Sequence, residues 1–218
     1  MVNKQTTFCS IYDGDYGGSM AHLLQNEGMI NVNPENLLEV DIIVFNGGED
    51  IATSIYNENP IYTHQKMPSI RDKLEIDIFN SVRDAPKLKV GICRGAQLLN
   101  CLNGGSLWQD VNNHEHDHDM TVLEMGVIMK CTSTHHQMMI PGKDAIILAI
   151  ANESTLKRCE YAEIRGKIKD DIEIVYYPNT HSLCIQGHPE YVPNTAFASY
   201  CIGLMVQYLA EITNLCAA

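Results

Sequence analysis

The sequence predicts an α/β fold: an open, mostly parallel sheet with helices on both faces and a β-rich C-terminal half. Three observations lead there. Through the first half of the chain, short apolar runs alternate with longer segments of helical periodicity. One junction, KVGICRGAQLLN (Lys89 to Asn100), passes from a β-branched run into a helix-forming run through Gly91, Cys93 and Gly95. After Trp108 the pattern turns β-rich, before a last helix from roughly Asn194 to Thr213.

The elements follow in order. TTFCSIYDG reads as a first strand, GSMAHLLQNEG as a helix closed by Gly28, and NPENLLEV as a short helix. DIIVFNGG (Asp41 to Gly48) is an unbroken apolar run, the mark of a strand covered on both faces, and it ends in a glycine pair. Beyond a polar loop with Pro60 and Pro68, SIRDKLEIDIFNSVRDA repeats Ile70, Leu74, Ile78 and Val82 every four residues, which predicts an amphipathic helix with that row as its apolar stripe. KLKVGIC is the next strand and RGAQLLNCL the next helix. TVLEMGVIMKC, DAIILAI, DIEIVYYPN and HSLCIQGH supply the strands of the second half. No repeat or linker interrupts them, so residues 1–218 read as one domain, with function expected at the carboxyl ends of the strands.

Composition narrows the function classes. A chain that is 45% hydrophobic and 19% charged can bury a sizeable core without disordered segments. Twenty-seven acidic against 15 basic residues, a net charge of -12, repel phosphate backbones, so no nucleic-acid partner is expected. The start MVNKQTTFCSIYDG lacks an apolar signal core and no apolar run is expected to span a bilayer, which together predict a cytoplasmic protein without membrane contact. The eight cysteines contain no CxxC pair, so most read as buried thiols.

Cys93 is the exception. Between flanking glycines at a strand-to-helix turn it has the form of a nucleophile elbow with Cys in place of Ser, exposed at the sheet edge and beside helix N–H groups that favour thiolate. The alternative is a buried structural thiol, which the two glycines disfavour. CIQGHPEY supplies a base. His188 and Glu190 are two apart in a segment read as extended, so both leave the same face, and a carboxylate beside an imidazole fixes its tautomer and stabilises its protonated form. In VFNGGEDI the Gly47-Gly48 pair allows close approach to a substrate, and the Gly48 N–H could join the Arg94 N–H in an oxyanion hole. Alone, each of the last two motifs is more often an ordinary turn.

Together, GICRGAQLLNCLNGGSLWQDV, FNGGEDI followed by RDKLEIDIF, TSTHHQ and QGHPE resemble the class I glutamine amidotransferase superfamily, and within it the γ-glutamyl hydrolase-like branch, peptidase family C26, which includes γ-glutamyl-GABA hydrolases. The blocks run from about Val44 to Glu190 in the expected order. The resemblance implies a flavodoxin-like fold, a catalytic triad of Cys93, His188 and Glu190, and hydrolysis of the γ-amide of glutamine or a γ-glutamyl amine through a thioester, with no cofactor. It further implies that Gln97, one helical turn after Cys93, and His135, in the segment matching NSxHHQ, bind substrate with Gly47. It allows as partner a separate synthetase subunit that accepts ammonia. Two departures stand out. Gly187 occupies a position where many relatives carry a bulky aromatic, and CTSTHHQ replaces a VNS-type lead, so the pocket wall is expected to differ.

One further pattern competes. NNHEHDHD sets His114, His116 and His118 at spacing two, a possible zinc or nickel site. With no fourth ligand indicated, it reads as a solvated acidic loop, and no metal is assigned. The rival functions are a catalytically silent binding protein on the same fold and a free-standing γ-glutamyl peptidase.

Overall fold

The chain is described by a computed structural model covering residues 5–12, 19–33, 35–62 and 65–217. The parts of the sequence reading that fall on Met1, Val2, Asn3, Lys4, Asp13, Gly14, Gly18 and Pro34 lie outside this set. In chain order the strands are β1 (Thr7–Ile11), β2 (Ile30–Asn31), β3 (Ile42–Phe45), β4 (Leu88–Ile92), β5 (Ser106–Trp108), β6 (Asp110–Val111), β7 (His118–Val122), β8 (Val127–Cys131), β9 (Met138–Ile140), β10 (Ile146–Ala151), β11 (Leu156–Cys159), β12 (Ala162–Arg165), β13 (Asp171–Tyr177) and β14 (Ser182–Ile185). The helices are α1 (Met20–Asn26), α2 (Ile70–Val82), α3 (Arg94–Leu102) and α4 (Ala196–Ala217).

The main sheet has the order β2-β1-β3-β4-β14-β13-β10-β7-β8. From β2 to β14 every neighbour is parallel; from β14 to β8 every neighbour is antiparallel. The N-terminal half is therefore the helix-linked parallel array expected of strand and helix alternation, and the β-rich half continues it as an antiparallel extension. Short sheets β12-β11-β6 and β5-β9 lie apart.

Strand β3 shows why the sheet is two-sided. Ile42 and Val44 pack on one face with α1 and α4 residues such as Leu24 and Met205, whereas Ile43 and Phe45 pack on the other with Phe79 of α2 and Leu99 of α3. All four strand side chains are fully buried.

Helix α2 corrects the apolar-stripe expectation. Ile70 is 86% exposed and Leu74 is also exposed, while Asp72, Glu75, Phe79 and Val82 are buried. A spacing of four advances about 40° per step around a helix of 3.6 residues per turn, so such a row drifts off any one face within three steps. The 3-4-3 row holds the face, and here it begins with two carboxylates. Ser69 and Asp72 form a capping box that fixes where the helix starts.

The expectation that no apolar run reaches bilayer length also needs correction. By length and composition α4 is apolar enough for a span over Ala196–Cys216. Its inner face, including Phe197, Cys201, Met205 and Ile212, instead closes one half of the core.

Candidate active site

Three consecutive parallel strands, β3, β4 and β14, end side by side, and each delivers one part of the site. Cys93 follows β4 directly and caps α3 with φ 48° and ψ -109°, a left-handed backbone that a side chain rarely adopts and that the sharp turn imposes. The glycines make the turn possible. A Cβ on Gly91 would lie 2.5 Å from the Gly95 carbonyl oxygen, and one on Gly95 would overlap the Phe45 carbonyl oxygen of β3. The Cys93 N–H donates to Ile185 O of β14 at 2.8 Å, so the elbow is tied to the strand that leads to His188. Cys93 retains 8% exposure.

His188 stands past the end of β14. Its Nδ1 donates to Glu190 Oε1 at 2.7 Å, and its ring stacks on Tyr191 with centroids 4.3 Å apart. The segment is not extended as expected: Pro189–Tyr191 is a 3₁₀ turn, because Pro favours the first position of such a turn, and it brings the carboxylate back to the imidazole. Among the described residues Nε2 has no well-formed hydrogen bond, and the ring interacts with Cys93. Burial lowers the His188 pKa, but interaction with Cys93 and Glu190 outweighs it and raises the value to about 10. The backbone is held from behind: the His188 N–H donates to Thr132 O at 3.1 Å, and the Thr132 hydroxyl donates to the His188 carbonyl. Thr132 carries no signal of its own in the sequence beyond its place in TSTHHQ, and it is a positioning residue that the motif alone does not reveal.

Gly47 and Gly48 continue β3 beside the elbow. A Cβ on Gly47 would lie 3.0 Å from His188 Cε1 and 3.8 Å from Cys93 Cβ, so only glycine leaves this space open. Gly48 has φ +151°, a glycine conformation, and lies against Arg94 Cδ. Among the described residues no acceptor faces the Gly48 N–H or the Arg94 N–H.

The Arg94 side chain turns away into α2. It pairs with Asp72 Oδ1 at 2.5 Å and with Glu75 Oε2, all three groups being 3% exposed or less. Glu75 Oε1 also accepts from Arg71 Nε at 2.9 Å, and Arg71 Nη2 donates to the carbonyls of Asn46 and Gly47, both at 3.0 Å. One buried carboxylate thus connects the elbow to the glycine pair. Asp72 and Glu75 escape a sequence reading that assigns charged residues to the outer face of α2. Beside this network a cleft of about 400 Å³ opens between Tyr12, Glu49, Asp50, Gln65 and Arg71.

Gln97 is buried on α3 with Nε2 donating to Gln137 O at 3.2 Å. His135, the other residue expected to contact substrate, is also buried. Its Nδ1 donates to the same Gln137 O at 2.9 Å and its Nε2 faces Glu173 at 3.8 Å, so both ring nitrogens point inward. His136 next to it is the more exposed one and pairs with Asp50 at 3.0 Å.

The solvated-loop reading of the histidine triplet is also corrected. Only His116 is exposed; His114 and His118 are buried beside Asp171 and Glu173 of β13. Burial lowers both imidazole pKa values, but the neighbouring carboxylates, with Cys131 at His118, raise His114 to about 9 and His118 to about 10. The sequence signal is two acids at alternate positions of an otherwise apolar strand. At Gly187, a Cβ would lie 2.8 Å from Phe197 Cζ, so an α4 aromatic fills the space beside it.

Known proteins resemble this chain in sequence and in fold. The family model for peptidase C26 matches residues 16–190. The YvdE protein of Lactococcus lactis subsp. lactis (strain IL1403), named as glutamine amidotransferase-like, is 27% identical over 69% of this chain and 66% of its own length. Its homolog from Lactococcus lactis subsp. cremoris is 40% identical, over 34% of this chain and 39% of its own length. The chain therefore spans less than two thirds of both relatives. Among solved structures, a glutamine amidotransferase from Thermotoga maritima superposes with a TM-score of 0.60 at 14% identity, over 85% of this chain and 76% of that one. A Thermoplasma acidophilum protein described as part of a GMP synthase gives 0.63 at 15% identity over 98% of each chain. These likenesses establish the shared fold.

Proposed function

Since the chain belongs to the peptidase C26 family, we propose that it is a class I glutamine amidotransferase-type amidohydrolase that cleaves the γ-amide of glutamine or of a γ-glutamyl amine. The observation that carries this reading is the Cys93 elbow beside a His188 whose far nitrogen is 2.7 Å from Glu190.

In this reading His188 takes the Cys93 proton and the sulfur attacks the amide carbon. The carbonyl oxygen becomes an oxyanion that accepts from the Gly48 and Arg94 N–H groups; one such donor is worth about a hundredfold or more in rate. Collapse of the intermediate breaks the C–N bond as imidazolium Nε2–H protonates the leaving nitrogen. Water, deprotonated by His188, then attacks the thioester carbonyl and releases glutamate and the free thiol. Glu190 holds the imidazole with Nε2 toward sulfur and balances its charge. Gly47 leaves room for the glutamyl chain, and Gln97 lines its end. His135 supports this wall from behind through Gln137. The acidic Glu49 at the neighbouring cleft suits an amine-bearing substituent, which favours γ-glutamyl amines.

The test measures glutamate and ammonia or amine release with glutamine against a panel of γ-glutamyl amines. The proposal expects cleavage that disappears in Cys93→Ala. Cleavage of substituted amides by the chain alone marks a free-standing hydrolase. Glutamine turnover that rises only with an added synthetase marks a protein that supplies ammonia to a partner. Substrate binding without turnover in any condition would leave a silent binding protein and refute the enzyme.

A further inference from the structure

Behind the active site, His114, His118 and His135 surround Glu173, and all four residues are 4% exposed or less. Each ring commits one nitrogen outward as a donor. His114 Nε2 donates to Asp171 Oδ2 at 3.1 Å, His118 Nδ1 to the His116 carbonyl at 3.1 Å, and His135 Nδ1 to the Gln137 carbonyl at 2.9 Å. A neutral imidazole that donates through one nitrogen presents a lone pair at the other. Those three remaining nitrogens converge on one carboxylate: His118 Nε2 lies 3.1 Å and His114 Nδ1 3.4 Å from Glu173 Oε1, and His135 Nε2 lies 3.8 Å from Oε2. Among the described residues His114 Nδ1, His135 Nε2 and Glu173 Oε2 have no hydrogen-bond partner. Lone pairs and a carboxylate gathered away from water repel unless positive charge, as ring protons or as a bound cation, lies between them.

We propose that His114, His118, His135 and Glu173 hold one buried divalent cation, with zinc the best fit. Zinc bonds of about 2.0–2.2 Å in a tetrahedron place neighbouring ligand atoms about 3.3–3.5 Å apart, and the separations of 3.1, 3.4 and 3.8 Å bracket that edge. The ligand atoms of His114, His118 and Glu173 already lie within 4.8 Å of one another, and His135, whose Nε2 lies 3.8 Å from Glu173 Oε2, would supply the fourth. Donation of the far ring nitrogen to a carboxylate or carbonyl is the support that metal-bound imidazoles use, and all three rings have it. Four protein ligands and almost no exposure make this a structural site, without an open position for substrate.

The cation acts through position. Ser133 Oγ donates to the His114 carbonyl and Cys131 Sγ to the His118 carbonyl at 3.5 Å, while Thr132 between them holds His188. Gln137 O is shared by His135 and Gln97. The site therefore anchors the two segments on which the base and the glutamyl-binding wall rest.

The full chain, without a histidine tag, is produced in zinc-supplemented medium, dialysed against metal-free buffer and measured by elemental mass spectrometry; a second preparation is grown with cobalt. One zinc per chain is expected, with the visible d–d absorption of four-coordinate cobalt in the second preparation. Glu173→Gln and His118→Gln should lose the metal, and His116→Ala should keep it. Substoichiometric zinc with no cobalt absorption in the wild-type protein overturns the proposal and leaves protonated rings as the source of charge. Metal retained equally by Glu173→Gln and His118→Gln overturns it as well, by assigning the ion to another site. The wild-type content and spectrum decide the matter even if a buried variant fails to fold.

Discussion

Glu75→Gln tests the connection between the elbow and the glycine pair. Glutamine keeps the volume and one acceptor, but places an N–H₂ against a guanidinium and removes the charge shared by Arg94 and Arg71. Arg94 is 3% exposed and keeps only Asp72. Breaking one side of a buried ion pair costs about 3–5 kcal/mol. An unfolding entropy of about 2.1 cal/mol/K per residue over 218 residues gives about 0.46 kcal/mol/K, so the melting temperature should fall by about 7–11 °C. Turnover should fall further than folding alone explains, because Arg71 loses the partner that orients it toward the Asn46 and Gly47 carbonyls. Calorimetry and steady-state kinetics at a temperature where both proteins are folded separate the two effects. A melting point within about 2 °C of wild type, with unchanged kcat, refutes the idea that Glu75 joins the two halves of the oxyanion site.

The remaining predictions concern the thiol and its base. A glutamine-like diazo-ketone should label Cys93 alone; Cys101 and Cys184 are buried with their thiols pushed up by burial, and labelling there with Cys93 untouched removes the nucleophile assignment. Glu190→Gln should lower turnover by about tenfold to a thousandfold with little change in binding, and the double variant with His188→Ala should be no worse than His188→Ala alone; fully additive losses would remove Glu190 from the triad. The raised His188 pKa has a signed consequence for stability: the folded state holds this proton more tightly than the unfolded chain, so its contribution is complete below about pH 6.5 and is lost as pH rises toward about 10. Denaturant titrations across that window should show a shallower decline in Glu190→Gln than in wild type, and equal slopes count against the imidazole–carboxylate interaction.

The parallel half of the fold is legible in the sequence because buried parallel strands are short apolar runs and their helices intervene at regular intervals. The elbow is legible for a related reason: Gly91 and Gly95 are imposed by backbone contacts, and such constraints leave residue types behind. Contacts distant in the chain leave weaker traces. Asp72 and Glu75 look like ordinary surface charges until Arg94 is brought under α2, and Asp171 and Glu173 become partners of His114 and His118 only through sheet packing. The histidine triplet misleads because spacing two suggests one shared face, whereas the chain bends at His116 and buries only His114 and His118. The HPE segment reads as extended from its proline, but the proline begins a turn.

Strand β14 is the seam of the sheet, parallel to β4 on one side and antiparallel to β13 on the other. A polypeptide emerging from the ribosome completes the four strands β1 to β4, and with them the turn bearing Cys93, long before the segment bearing His188 exists. Under the proposed mechanism, the partner of the sulfur arrives only when the late strand inserts between early and late halves. On that mechanism a partly made or truncated chain carries its cysteine without its base, and the pair is completed by the same step that completes the sheet.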